Sequence, residues 1–83
     1  LRSLHAKHPL WVRSRTSDLQ VFEQVFVNRE YACLDAVTDV DVVIDLGANV
    51  GYSCAYFLSR WPRAALIAVE PDEDNAAMLA RNL

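Results

Sequence analysis

Five residues of this sequence have the types and spacing to hold a nucleoside: Asp45, Gly47, Asn49 and Gly51 in one short stretch, and Glu70 a further 23 residues beyond Gly47. Glycines let a turn take backbone angles closed to other residues and let a ligand approach the main chain. An acid about 20 residues further on, at the end of a second apolar run, is placed as the ribose-binding acid of nucleotide-binding βαβ units. The chemistry on offer is therefore recognition of a ribose diol by a carboxylate beside a glycine turn.

Such a turn needs a strand before it and a helix after it. Val42-Val43-Ile44 is a β-branched run with no polar alternation until Asp45, the pattern of a parallel strand covered on both faces. Leu66-Ile67-Ala68-Val69 is a second such run, ended by Glu70 and Pro71. Between them Tyr52 to Trp61 reads as a helix stopped by Pro62. Asp72 can cap a last helix with Glu73 and Asp74 in its first turn, and Ala76, Leu79, Ala80 and Leu83 form its apolar face.

Upstream, residues 1 to 8 read as the end of a helix, and Pro9 favours an extended segment through Arg13. Ser17 and Gln20 have capping-box spacing, with Asp18 favouring the helix dipole. Leu19, Phe22, Val25 and Phe26 then mark one buried helical face. Residues 29 to 34 carry no clear pattern. Asp35, Asp39 and Asp41 lack the glycine and terminal glutamate of a calcium loop and read as a solvated connection. The expected organisation is an N-terminal helical and extended segment, 1–34, followed by a βαβα unit, 35–83.

The fold class expected is α/β, a Rossmann-like domain of which these 83 residues supply the N-terminal portion: two parallel strands with flanking helices. Two strands leave edges and apolar faces uncovered, so the piece alone is expected to be marginal and inactive. Hydrophobic residues make up 53% of the chain, yet the longest apolar run, Ala64 to Val69, is too short to span a bilayer, so no membrane association is expected. Arg2, Lys7, Arg13 and Arg15 stand without an acid in the first 16 residues, while 4 bases face 11 acids in the remainder. Without a recognition motif that basic segment reads as a solvated face, and no nucleic-acid partner is expected. Cys33 and Cys54 have no CxxC spacing and read as reduced thiols of a cytoplasmic protein. His5 and His8 lack a third ligand, so no metal site is expected.

The turn also discriminates between nucleotides. A dinucleotide site wants Gly-x-Gly-x-x-Gly. Aligned on Gly47, the second and third glycines are replaced by Asn49 and Tyr52, which disfavours a pyrophosphate. A mononucleotide P-loop is excluded because no Gly-Lys-Ser/Thr follows. An adenosine ligand without phosphates tolerates this turn, and S-adenosylmethionine fits that description. Glu70 would accept from its ribose hydroxyls and Asp45 would face its ammonium group. Each residue also has a plainer reading: the glycines as a tight turn, Asp45 as a helix-end partner, Glu70 as a solvated acid, Asn49 as a residue tolerant of left-handed backbone.

Val43 through Ser53, then Val69-Glu70-Pro71 with Asn75 and Leu79, resemble the first two motifs of FkbM-type S-adenosylmethionine-dependent methyltransferases. Arg15-Thr16-Ser17-Asp18, Val21 to Phe26 and Tyr31 resemble that family's N-terminal segment. The resemblance implies a seven-stranded Rossmann-like enzyme that methylates a hydroxyl of a sugar, glycan or natural product. It places Asp45, Gly47, Asn49 and Gly51 at the methionine end of the cofactor and Glu70 at the ribose, with Thr16 to Asp18 near the cofactor's entrance. No residue is singled out as a catalytic base. An NAD-dependent oxidoreductase or epimerase, or a non-catalytic remnant, are the alternatives to test.

Overall fold

A computed structural model describes residues 1–83. Along the chain run α1 (Asp18–Phe22), a π-helical turn (Glu23–Val27), a 3₁₀ turn (Ala32–Leu34), β1 (Val42–Leu46), α2 (Tyr52–Arg60), β2 (Ala65–Val69) and α3 (Glu73–Asn82). β1 and β2 pair in parallel, Val42 opposite Ala65 through Leu46 opposite Val69. Parallel neighbours require a crossover, and α2 supplies it, so the chain is α/β with a βαβ unit at its centre. This architecture is compatible with one half of a Rossmann-like fold. No helix is long and apolar enough to cross a membrane.

One core joins the N-terminal third to the βαβ unit. Leu10, Phe22, Val25 and Phe26 pack with Val50, Tyr52, Ala55 and Tyr56. The Phe22 and Tyr52 rings meet edge to face at 5.6 Å, and Phe22 and Phe26 lie 4.9 Å apart. Of the apolar face expected after Ser17, Leu19 alone stays outside, because the helix changes to a π turn at Glu23. Residues 1 to 8 form turns and bends rather than a helix.

The strands depart from the expectation of cover on both faces. Burial alternates along each, and Val42, Ile44 and Leu46 of β1 with Ala65, Ile67 and Val69 of β2 share an open face. Ile44 is 62% and Leu46 75% exposed there. α2 packs on the sheet's other side, where Val43, Asp45, Leu66 and Ala68 are half-buried. An apolar patch of this kind is a surface awaiting cover.

Three local expectations are also revised. Ser17 stands at the start of α1 without a side-chain cap bond, and Thr16 Oγ1 takes the Asp18 N–H instead at 3.1 Å. Asp18 stands in the first turn of α1 as expected, and it is also buried, with Arg13 donating to both its oxygens at 2.8 and 2.9 Å. Arg13 also reaches Asn75 Oδ1 at 2.8 Å, tying the N-terminal segment to α3. Asp35 is not a solvated loop acid but accepts from Tyr56 Oη at 2.7 Å and pairs with Arg29. In α3 the Asp72 cap forms as expected, accepting the Asn75 N–H. Of its expected apolar face, Ala76 and Leu79 are half-buried while Ala80 and Leu83 are exposed; Asn75 and Met78 join the inward face, and Asn82, drawn in by hydrogen bonds, is its one buried residue.

Two outcomes follow. Replacing Ile44 and Ile67 together by lysine should abolish binding of the dye 8-anilinonaphthalene-1-sulfonate while leaving far-ultraviolet circular dichroism unchanged; undiminished dye fluorescence would contradict the open face. The Arg13 guanidinium holds the Asp18 carboxyl below the usual carboxylate range. A depressed folded value contributes stability above the unfolded value, about 3.9, and that stability is lost as pH falls through the folded value. Between about pH 5 and pH 3 the urea midpoint should therefore fall less steeply in Asp18→Asn than in the wild type, and equal slopes would remove the pair as a cause.

Candidate functional site

The register of the two strands decides where the turn lands. With Leu46 opposite Val69, the next two amides, Gly47 N–H and Ala48 N–H, both donate to the Val69 carbonyl at 2.8 and 3.0 Å. The following amide, Asn49 N–H, donates to Glu70 Oε1 at 2.8 Å, and Asp72 N–H donates to Glu70 Oε2 at 3.0 Å. Gly51 N–H closes back on the Ala48 carbonyl at 3.0 Å. Asn49, Gly47, Gly51 and Glu70 are thereby brought together at the carboxyl ends of the strands, where ligands of open α/β sheets bind.

Three residues of this turn have positive φ: Gly47 at 76°, Asn49 at 54° and Gly51 at 95°. Asparagine is among the few side chains that tolerate this region, so Asn49 has a backbone reason for its identity. The two glycines differ in their surroundings. A Cβ on Gly47 would meet nothing within 4 Å, whereas one on Gly51 would stand 2.7 Å from Leu79 Cδ1. Gly47 faces open space, and Gly51 admits α3 against the turn.

Asp45 points under α2. Its Oδ2 accepts from Ser53 Oγ at 2.5 Å and Cys54 Sγ at 3.2 Å, and no protein donor reaches Oδ1. The helix-end reading of Asp45 is therefore realised, and its charge stands at the positive end of α2. Burial pushes the Cys54 thiol up to about 12, with the Asp45 hydrogen bond adding to the effect. Burial likewise raises Tyr52 to about 12. Neither group is a proton acceptor at neutral pH.

Tyr52 corrects one step of the sequence argument. It is buried, and its hydroxyl donates to the Trp11 carbonyl at 2.7 Å, so its ring fills the core instead of standing over the turn. What opposes an anion is different: the amides of residues 47, 48, 49 and 51 are all used within the chain. A phosphate cradle needs such amides free.

Four surface hollows, about 190 to 520 Å³ in volume, lie elsewhere and none is lined by the five candidate residues. The largest sits between residues 37–41 and 60–63, at the opposite ends of the strands. Thr16 is exposed and serves the Arg13–Asp18 pair, donating to the Arg13 carbonyl at 3.0 Å. No three His, Cys, Asp or Glu side chains gather as a metal site. Ser53 closes the first motif but was assigned no contact of its own, and Asn82 was not among the expected site residues. A pair of asparagines seven apart on one face of α3, Asn75 and Asn82, was the available signal that this face holds polar contacts.

No family profile and no solved structure matches the chain. A 52-residue stretch is 42% identical to part of the AMB antimetabolite synthetase AmbE of Pseudomonas aeruginosa, covering 61% of this chain and 2% of that protein. The chain thus corresponds to a small part of a far longer relative.

The glycines make unequal demands that a stability measurement can separate. Gly47→Ala should cost about 1 kcal/mol, the strain of left-handed backbone alone. Gly51→Ala should cost more, since α3 must also move, and equal losses in urea unfolding would contradict the close approach of Leu79.

Proposed function

We propose that the protein carrying this chain binds S-adenosylmethionine through Asp45, Gly47, Asn49, Gly51 and Glu70 and transfers its methyl group to a hydroxyl oxygen. The observation that carries the reading is the setting of Glu70. A carboxylate has about four lone-pair sites. Two are taken by the Asn49 and Asp72 amides, which fix the group's direction, and about two remain for a ribose diol. Charge-assisted hydrogen bonds of this kind contribute about 1.5–3 kcal/mol each.

The rest of the site fits a cationic nucleoside without phosphates. The amides of residues 47, 48, 49 and 51 are internally bonded, and Asp45 places negative charge where an α-helix would otherwise attract a phosphate. That charge suits the ammonium of a methionine moiety, and the space beside Gly47 admits the linker. S-adenosylmethionine, when bound, supplies an electrophilic methyl group on a sulfonium. Glu70 then holds the ribose, Asp45 orients the amino-acid end, and the turn aligns the donor for attack by the acceptor. Among sugar, glycan and natural-product acceptors, the match to part of an antimetabolite synthetase favours a natural product.

Isothermal titration of the full protein with S-adenosylhomocysteine tests the reading. Wild-type protein should bind, NAD should not compete, and Glu70→Gln should weaken binding at least about tenfold, the loss of roughly one charge-assisted bond. Absence of binding by protein with Glu70 intact would sink the proposal.

A further inference from the structure

Asn82 is completely buried at the last turn of α3, although its neighbours on that face are partly apolar. Its Oδ1 accepts the Trp11 N–H at 2.7 Å, and its Nδ2 donates to the Val50 carbonyl at 2.8 Å, with a longer approach of 3.4 Å to the Trp11 carbonyl. Val50 lies between Asn49 and Gly51 and is itself fully buried. The peptide plane from Val50 to Gly51 is therefore held at both ends: Asn82 holds its carbonyl, and the Ala48 carbonyl receives its N–H at 3.0 Å. Rotation of that plane would break both bonds and leave a buried carbonyl unpaired.

We infer that Asn82 is a positioning residue for the cofactor turn, acting on Glu70 through the Val50–Gly51 peptide and the Asn49 amide. With that plane fixed, the Asn49 N–H stays aimed at Glu70 Oε1, and the carboxylate keeps its remaining lone pairs toward the ligand side. The same side chain binds the backbone of Trp11, so the extended segment preceding α1 is part of the support of the turn. Leucine would fill a buried helical position of this kind without desolvating an amide. The amide is used because two backbone groups 71 and 32 residues away in sequence both need partners there. The consequence for ligand binding rests on the S-adenosylmethionine reading, whereas the clamp on the turn does not.

Asn82→Asp keeps an acceptor for the Trp11 N–H and removes the donor to Val50, and Asn82→Ser serves where the added charge prevents folding. Phe26→Leu, a core change that removes no hydrogen bond of the turn, controls for general loss of stability. Amide exchange at Asn49 is read by NMR in the ligand-free full protein, and S-adenosylhomocysteine affinity by titration. In a folded Asn82 variant, Asn49 exchange should accelerate about tenfold with β2 amides unchanged, and affinity should fall about tenfold. Phe26→Leu should change neither by more than about twofold. Unaltered Asn49 exchange in the folded Asn82 variants, or equal acceleration in Phe26→Leu, overturns the inference. Accelerated exchange in a protein that binds no S-adenosylhomocysteine supports the clamp and rejects the methyl-donor reading.

Discussion

The end of β2 supplies the acceptors that the turn after β1 needs, and the site depends on that closure. Val69 takes two amides with its carbonyl, and Glu70 takes the next with its side chain. The arrangement requires the observed register, because a slip of one residue would send every side chain of a strand to the opposite face. It would carry Glu70 away from Asn49 and return Asp45 to the open side. Strand pairing, turn geometry and the direction of the Glu70 carboxylate are thus one constraint expressed at three levels.

Support for the closure comes from outside the βαβ unit. Arg13 bridges Asp18 and Asn75, Tyr52 reaches the Trp11 carbonyl, and Asn82 joins Trp11 to Val50. Residues 10–18 and α3 therefore brace the turn from the side away from the open strand face. Buried polar groups that are fully partnered specify one arrangement more strictly than apolar packing does. The open face of Val42, Ile44, Leu46, Ile67 and Val69 has no such bracing and is purely apolar.

Much of this was legible in the sequence where the signal is local. The apolar runs located both strands, Pro62 ended α2 as expected, and Asp72 announced its cap. The glycine turn and Glu70 were found by spacing, and Asp45 was read two ways, one of which its bonds to Ser53 and Cys54 display. Long-range polar contacts had no comparable signal. Nothing in the sequence near Asn82 states that its partner lies 71 residues earlier, and Asp35 resembled a loop acid until Tyr56 and Arg29 were seen beside it. Ser17 had the right spacing for a capping box, but its side chain makes no cap bond, and Thr16 Oγ1 accepts the Asp18 N–H. Tyr52 was read from its motif position as a bulky group opposing a pyrophosphate, whereas its ring turns into the core and its hydroxyl donates to the Trp11 carbonyl.

The central claim is that the strand-end turn and Glu70 form the seat of a ribose-bearing methyl donor. A titration of the isotopically labelled full protein with S-adenosylhomocysteine, followed residue by residue by NMR, tests it most directly. Shifts should concentrate at Asp45, Gly47, Asn49, Gly51 and the Glu70–Asp72 segment. Shifts confined to residues 37–41 and 60–63, at the other ends of the strands, or no shifts at all, would contradict it.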